Sequence, residues 1–342
     1  MTPYRFVTGV VGNWKEAGRT TLGSAADEIE VTGLAADRYY QYLYHLIPSG
    51  EITDDMQMGN TTFSTGTVYS QTFSRDGAAD TAEASQTSLD VGSPASSNDK
   101  FGTGFICNFS SREKYLVNYG GIDRNTAGAA NPPNRMMSGG KFDFTSNPID
   151  RIRMTNNGAG SYDTNSELVI LEWDPADTHG VADNAWEQLD QVTLGVAGDN
   201  IDFQDVPVRK YYWLWCYAEN AGSIRPQMRF NNNSSTVYAD RRALNSGADV
   251  TQGSRSSILP DITVITSPVQ LNMFIINVSG REKLIIGHTE TQNTAGAINA
   301  PSRTDFSSKM ALTSSAINDI LIFQNESGSF GTNTIATLWG FD

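Results

Sequence analysis

The sequence repeats itself once, at an offset of about 170 residues, and this duplication limits the possible folds more than any other feature. Matching segments keep the same order along both copies, separated by only two small gaps. The clearest matches are Trp14 with Trp186, residues 112–114 (Arg-Glu-Lys) with 281–283, and residues 125–129 (Asn-Thr-Ala-Gly-Ala) with 293–297. The period far exceeds the roughly 20–50 residues of solenoid repeats, so each copy is expected to be a complete domain.

The repeat also predicts the domain boundaries. The first copy covers residues 14–174 and the second 186–342. Residues 175–185 contain Pro and Gly among polar residues and are interpreted as a linker. Residues 1–13 have no counterpart and are predicted to form an N-terminal arm.

Composition excludes several functional classes. The 342 residues include 24 basic and 38 acidic side chains, a net charge of −14, which disfavours direct nucleic-acid binding. No apolar run is long enough for a membrane helix, and no signal-peptide pattern is found, so neither membrane insertion nor classical secretion is expected. Two cysteines cannot provide a disulfide framework.

The secondary-structure pattern predicts an all-β protein. Short segments rich in β-branched and aromatic residues alternate with turn-rich segments, for example 38–46, 104–109, 210–217 and 271–278. Seven or eight such strands per copy favour two tandem homologous antiparallel β-sandwiches, with jelly-roll topology preferred over an immunoglobulin-like sandwich. A helical turn is expected around residues 184–192 and near Trp14.

Motifs for catalysis or cofactor binding are lacking. None of the three histidines (His45, His179 and His288) is matched by a histidine in the other copy, and no metalloprotease, nucleophile-elbow, P-loop or EF-hand pattern is found. We therefore expect no catalytic residue, no cofactor and no metal. A loop calcium site and a glycosidase carboxylate pair remain alternatives, although Asp54 and Asp55 have no counterparts in the second copy.

Two repeated segments are candidates for assembly contacts. The Arg-Glu-Lys tripeptide lies between two apolar strands, which indicates either a hairpin turn or a subunit contact through Arg–carboxylate pairs. The long loops that begin at Asn125 and Asn293 and end in Pro-x-Arg indicate either binding contacts or a folding constraint. The candidate residues are Arg112, Glu113, Arg281, Glu282, Asn125, Arg135, Asn293 and Arg303.

Aromatic residues are concentrated in one strand of each copy, at 39–44 and 211–215. Alternate side chains of a strand point to opposite faces, so part of each cluster is predicted to lie outside the sandwich core. The candidates are Tyr40, Tyr42, Trp213 and Trp215. They could form a sugar-stacking platform or a buried interface, and the interface is favoured.

Several of these motifs resemble virion structural proteins of tailed phages. The resemblance lies in Thr-Leu-Gly followed by Asp-x-Ile, the Tyr-Tyr strand, residues 228–232 (Met-Arg-Phe-Asn-Asn) with Tyr238, and the Asn-Thr-Ala-Gly segment at 125–128. It extends over nearly the whole chain as two copies, although residues 58–60 (Met-Gly-Asn) depart from it. The family comprises jelly-roll proteins of head decoration, spikes and fibres, and it provides no catalytic residues to transfer.

The resemblance implies a non-enzymatic virion protein. We expect a decoration, spike or fibre component that assembles in the host cytoplasm as a homo-oligomer, possibly a trimer, with capsid or tail subunits as partners. The alternative is a carbohydrate- or receptor-binding adhesin that uses exposed aromatic residues to bind a host glycan. A glycoside-processing enzyme is a third class.

Overall fold

All regular secondary structure in the described residues is β-strand, which confirms the predicted fold class. A computed structural model describes residues 14–36, 38–92, 96–175, 184–261, 263–292 and 300–342, and these ranges contain 26 strands and no helix. The helical turn expected around residues 184–192 is wrong. Residues Glu187–Thr193 instead pair along their whole length with a neighbouring strand, and this ladder outweighs the weak helical periodicity.

The first half of the chain forms two sheets. Its strands are β1 Lys15–Thr21, β2 Glu28–Thr32, β3 Tyr39–Leu46, β4 Asp55–Asn60, β5 Thr62–Phe63, β6 Tyr69–Arg75, β7 Thr81–Gln86, β8 Leu89–Asp90, β9 Lys100–Cys107, β10 Lys114–Asp123, β11 Asn134–Phe142, β12 Arg151–Thr155 and β13 Glu167–Trp173. The large sheet has the order β1-β13-β3-β9-β10-β11-β6-β7. The small sheet has the order β2-β12-β4-β5, with β8 also paired to β4.

The second half repeats this arrangement. Its strands are β14 Glu187–Thr193, β15 Asn200–Phe203, β16 Tyr211–Ala218, β17 Asn220–Ala221, β18 Gln227–Phe230, β19 Tyr238–Leu244, β20 Val250–Arg255, β21 Val269–Ile276, β22 Lys283–Thr291, β23 Ser302–Met310, β24 Ile320–Phe323, β25 Ser329–Phe330 and β26 Ile335–Phe341. The large sheet has the order β14-β26-β16-β21-β22-β23-β19-β20, so each strand lies where its sequence counterpart lies in the first half.

The small sheet of the second half is β15-β24-β18, with β17 and β25 as a separate pair. In both halves the chain passes several times between the sheets: the first three strands lie in the large, the small and the large sheet, whereas the three middle strands (β9–β11 and β21–β23) are consecutive neighbours in the large sheet. The two sheets of each half form a double-layered sandwich of antiparallel strands, as the sequence predicts. The predicted arm at 1–13 and residues 176–183 of the predicted linker lie outside the described residues.

Buried side chains reproduce the duplication in atomic detail. The Tyr69 hydroxyl accepts from the Met58 amide and donates to the Met58 carbonyl, and Tyr238 makes the same pair of bonds with Phe230. The two members of each pair lie at equivalent positions of the repeat. Such bonds satisfy backbone groups that burial would otherwise leave unpaired.

The Arg-Glu-Lys tripeptides lie in the hairpins that connect β9 to β10 and β21 to β22. Their lysines are buried, and each ammonium donates to backbone carbonyls of its own hairpin; Lys114 also donates to the carbonyl of Phe144, which follows β11. Within the hairpins, Lys114 binds the carbonyls of Phe109 and Arg112, and Lys283 binds those of Val278 and Arg281. The predicted hairpin turn is therefore present in both copies, and the lysine stabilises it.

The described residues form three apolar cores. One lies between the two sheets of each half; Tyr42 and Ile152 belong to that of the first half, and Leu214 and Ile285 to that of the second. The third core contains residues from both halves, because the outer faces of the two large sheets pack against each other. This third core positions the site described next.

Candidate functional site

The third core joins the two halves through the outer faces of their large sheets. Leu43, Phe101 and Ile122 come from the first half, and Phe274 and Ile286 from the second; all five are buried. The backbones approach closely, since a Cβ added to Gly120 would lie 1.9 Å from Ile286 Cδ1. An apolar interface of this kind holds two domains as one packed unit.

Trp186 lies at the centre of this interface. Its indole packs against the rings of Trp213 and Phe341, with centroid distances of 5.6 and 5.8 Å. Its Nε1 donates across the interface to Gln41 Oε1, at 2.9 Å, and both residues are buried. The polar atom of each residue is therefore satisfied by the other half of the chain.

Charged groups close one side of the interface. Arg281 forms an ion pair with Asp99, with 3.0 Å between Nη1 and Oδ1. Glu282 accepts from the Gly128 amide at 2.7 Å and pairs with the buried Lys309. Arg281 and Glu282, predicted as candidates for subunit contacts, thus contact the other half of the same chain.

The equivalent tripeptide in the first half has a different environment. Glu113 pairs with Lys141 at 2.9 Å, just as Glu282 pairs with Lys309, but this pair is partly exposed. Arg112 is exposed and donates only to the carbonyl of its neighbour Ser111. The same local structure is therefore covered in one copy and uncovered in the other.

The two long repeated loops also differ in their roles. Asn125 binds the Pro132 carbonyl at 3.0 Å, which closes its own loop, and this supports the folding interpretation. Asn293 lies outside the described residues. Arg135 crosses the interface to Asp249, at 2.7 Å between Nη2 and Oδ1, and its side chain is only 2% exposed.

Tyr119 and His288 show how the two sheets are related. They occupy equivalent positions in the two copies, and their ring centroids lie 4.2 Å apart. The equivalent of the Arg135–Asp249 pair would join Arg303 to Asp80, but Arg303 pairs instead with Asp305. The sheets therefore diverge on this side, and a cleft separates them.

The cleft has a volume of about 510 Å³ and has two unlike walls. The wall from the first half carries the apolar residues Phe73, Val117, Tyr119 and Met137 among polar and charged ones that include Asp80 and Arg135. The wall from the second half includes the polar residues Gln270, Asn272, His288, Glu290, Arg303 and Asp305. A concave site of this size with a few convergent polar groups is typical of ligand binding.

The polar wall is held in place by its own hydrogen bonds. Asp305 accepts from His288 Nδ1 at 2.6 Å and from Arg303 at 3.0 Å, and Arg303 also donates to the Ser246 hydroxyl. Burial alone would raise the pKa of Asp305, but the bond to His288 and the charges of His288 and Arg303 lower it below its usual value. Asp305 is therefore a fixed carboxylate that orients two of its neighbours.

The prediction that these aromatic side chains lie outside the sandwich core is wrong for two of the four residues. Tyr40 and Tyr42 are fully buried between the sheets of the first half. Trp213 is buried in the third core, where it stacks on Phe274, so the interface interpretation is correct for this residue. Trp215 alone remains accessible, at 42% exposed. Alternation along the strand explains the burial of Tyr40 and Tyr42, whose side chains point into the first sandwich. Trp213 and Trp215 both lie on the outer face of β16, and Trp213 is buried because the other half covers it there.

The sequence did not identify His288 and Asn272 as residues of a site. A signal was available on β21, where Gln270 and Asn272 alternate with the apolar Val269, Leu271 and Met273. Glu290 and His288 lie opposite them on the paired strand β22. Within the described ranges, no group of three or more histidine, cysteine or acidic side chains is arranged to hold a metal ion. The same residues include no helix long and apolar enough to cross a membrane.

Comparisons with known proteins do not identify a family. No family model and no curated protein matches the chain. Among solved structures, domains LG4-5 of the mouse laminin alpha1 chain align at 9% identity and a TM-score of 0.20, covering 97% of this chain and 91% of that one. Human GIVD cytosolic phospholipase A2 aligns at 8% identity and a TM-score of 0.13, covering 90% of this chain and 33% of that one.

Proposed function

We propose that the chain is a non-enzymatic structural protein of a phage particle, which self-associates and presents paired β-sandwiches. The motif resemblance supports the virion assignment. Self-association is supported by one structural observation, the difference in exposure between equivalent positions of the two large sheets.

Tyr115 and Val117 carry this proposal. They are 55% and 61% exposed on the outer face of β10. Their equivalents in the second half, Leu284 and Ile286, are buried against the first half. The same strand face is thus an interface in one copy and solvent-facing in the other, although its residues remain apolar. Exposed apolar residues on such a face are typical of a contact surface.

The occupant that we propose for this face is a second copy of the chain. The face is continuous with the third core, since Tyr119 follows Val117 on the same side of β10 and packs on Phe274. Two chains that meet through β10 would use the same surface on each, which is an isologous contact around a two-fold axis. Beside Tyr115, Lys141 and Glu113 pair with each other, so their charges are balanced within one chain next to the contact.

The test is the mass of the purified protein in solution. We expect an oligomer by light scattering or sedimentation, and we expect Tyr115→Asp to shift the equilibrium toward monomer, because it places a charge in an apolar contact. Val196→Asp is the matched control, since Val196 is 75% exposed but lies outside the face. A wild-type protein that is monomeric at high concentration would refute self-association, and so would an unchanged mass in Tyr115→Asp.

The virion assignment has a separate test. Mass spectrometry of purified particles of a phage that encodes this chain should detect it at a fixed ratio to the major capsid or tail protein. Its absence from such particles would refute the assignment, whatever the oligomeric state of the purified protein.

A further inference from the structure

The outer face of the second large sheet carries two rows of polar and aromatic side chains. In strand register, one row is Trp215, Asn272, His288 and Asp305, and the next is Tyr217, Gln270, Glu290 and Arg303. Each row crosses four neighbouring strands, which is about 14 Å at ~4.8 Å per strand. The rows begin on exposed aromatic residues and end inside the cleft.

The aromatic end of these rows is accessible although the protein buries most of its other large rings. Trp215 and Tyr217 are 42% and 43% exposed, and they lie next to each other on the same side of β16. The equivalent residues of the first half, Leu43 and His45, are covered by the second half. Trp215 thus presents a flat apolar surface with a polar edge, which suits the CH-rich face of a sugar ring.

The polar end provides planar hydrogen-bonding groups at defined positions. Asn272 Oδ1 accepts from Trp213 Nε1 at 2.7 Å, which fixes the amide; its Nδ2 hydrogens bind no described residue. Glu290 is exposed, and Arg303 is held by Asp305 and Ser246. Amide, carboxylate and guanidinium groups can each bind two neighbouring hydroxyls at once, and fixed groups lose less entropy on binding.

The charges of the cleft indicate which ligands it favours. Its lining includes two arginines, Arg135 and Arg303, against three acidic residues, Asp80, Glu290 and Asp305, with His288 beside them. Arg135 forms an ion pair with Asp249, and Asp305 accepts hydrogen bonds from His288 and Arg303. No unbalanced positive charge is left for a sulfate, phosphate or sialic acid, and the apolar side chains on the opposite wall favour a ligand with one less polar face.

We propose that this face binds a neutral oligosaccharide. One pyranose ring stacks on Trp215, and the adjoining ring enters the cleft, where Asn272, Glu290 and Arg303 bind its hydroxyls. Tyr119 of the opposite wall then covers the less polar side of that ring. The proposal needs only a single chain, so it does not depend on the self-association proposed above.

The experiment begins with a glycan array that holds neutral, sialylated and sulfated oligosaccharides. We expect retention of neutral glycans, followed by measurable binding of the best soluble one in calorimetry. Trp215→Ala should weaken that binding by about tenfold or more, since a stacking aromatic residue is lost. Glu290→Ala should weaken it as well, and both replaced residues are partly or fully solvent-facing, so folding should be preserved.

The matched control is Phe109→Ala, which removes a partly exposed aromatic side chain outside both rows and outside the β10 face. It should leave the affinity for the soluble glycan unchanged. Retention of only sialylated or sulfated glycans would overturn the proposal, as would no retention at all. Equal affinity in wild type and Trp215→Ala would overturn the placement of the site on this face.

Discussion

The interdomain hydrogen bond of Trp186 offers the sharpest test of how the two sandwiches are held together. In Trp186→Phe, much of the ring remains in the third core, but the donor to Gln41 is lost. Gln41 is fully buried, so its Oε1 is left without that partner, which costs about 1–3 kcal/mol. The loss of ring volume adds a further packing cost of about 1 kcal/mol.

Trp14→Phe is the matched control for the packing cost. Trp14 is the equivalent buried residue of the first copy and packs on Phe105 and Trp173, but its side chain makes no hydrogen bond to any described residue. The difference between the two variants should therefore be about 1–3 kcal/mol in free energy of unfolding. At a urea m-value of about 3 kcal/mol/M, this is a midpoint difference of about 0.3–1 M.

The assay is equilibrium urea unfolding followed by far-UV circular dichroism, which does not rely on the replaced tryptophan. A second replacement tests the mechanism. Adding Gln41→Leu to Trp186→Phe removes the orphaned oxygen and should recover part of the lost stability. Equal midpoints for Trp14→Phe and Trp186→Phe would refute the reasoning, as would a further loss of stability in the double variant.

Two further predictions concern charged groups at the interface. Burial lowers the pKa of His45 to about 4. Between about pH 6.5 and 4 the unfolded chain therefore binds a proton at this residue and the folded chain does not. The free energy of unfolding should fall by up to about 3 kcal/mol as the pH decreases through this range. Urea midpoints measured across this range should fall less in His45→Gln, and parallel curves would contradict the prediction. Arg135→Ala should cost about 1.5–3 kcal/mol, because it removes a buried charged hydrogen bond and leaves Asp249 with Arg241 as its remaining cation. Arg303→Ala should cost less than about 1 kcal/mol, because its side chain is 47% exposed. Thermal unfolding of both variants checks this, and similar melting temperatures would refute the distinction.

Much of the fold could be predicted because the duplication and the strand alternation are local properties of the sequence. The match of residues 112–114 with 281–283 predicted equivalent hairpins, and both are present. The strand at residues 187–193 was harder to predict, because its pairing with β26, and not the pattern of its own residues, determines its conformation.

The site was less predictable, because it depends on how one sheet covers another. Trp213 and Trp215 differ in the sequence only by their position in one strand, yet the first is buried by the other half and the second is not. Nothing local to either residue indicates where the interdomain contact ends. His288 lacks a histidine counterpart, but its true counterpart, Tyr119, is the residue that it touches.

The unlike walls of the cleft have a consequence for how such a chain can evolve. If a single repeat formed a symmetric homodimer, each substitution would appear on both sides of the contact at once. Fusion into one chain removes that constraint. Leu43 can therefore be an apolar residue buried in the interdomain contact while its equivalent, Trp215, is exposed to solvent. The covalent link also keeps the two halves together at high effective concentration, so part of the contact can open without loss of the pair. The tandem arrangement thus allows equivalent positions of the two halves to take different roles, one in the interdomain contact and the other on the solvent-exposed surface.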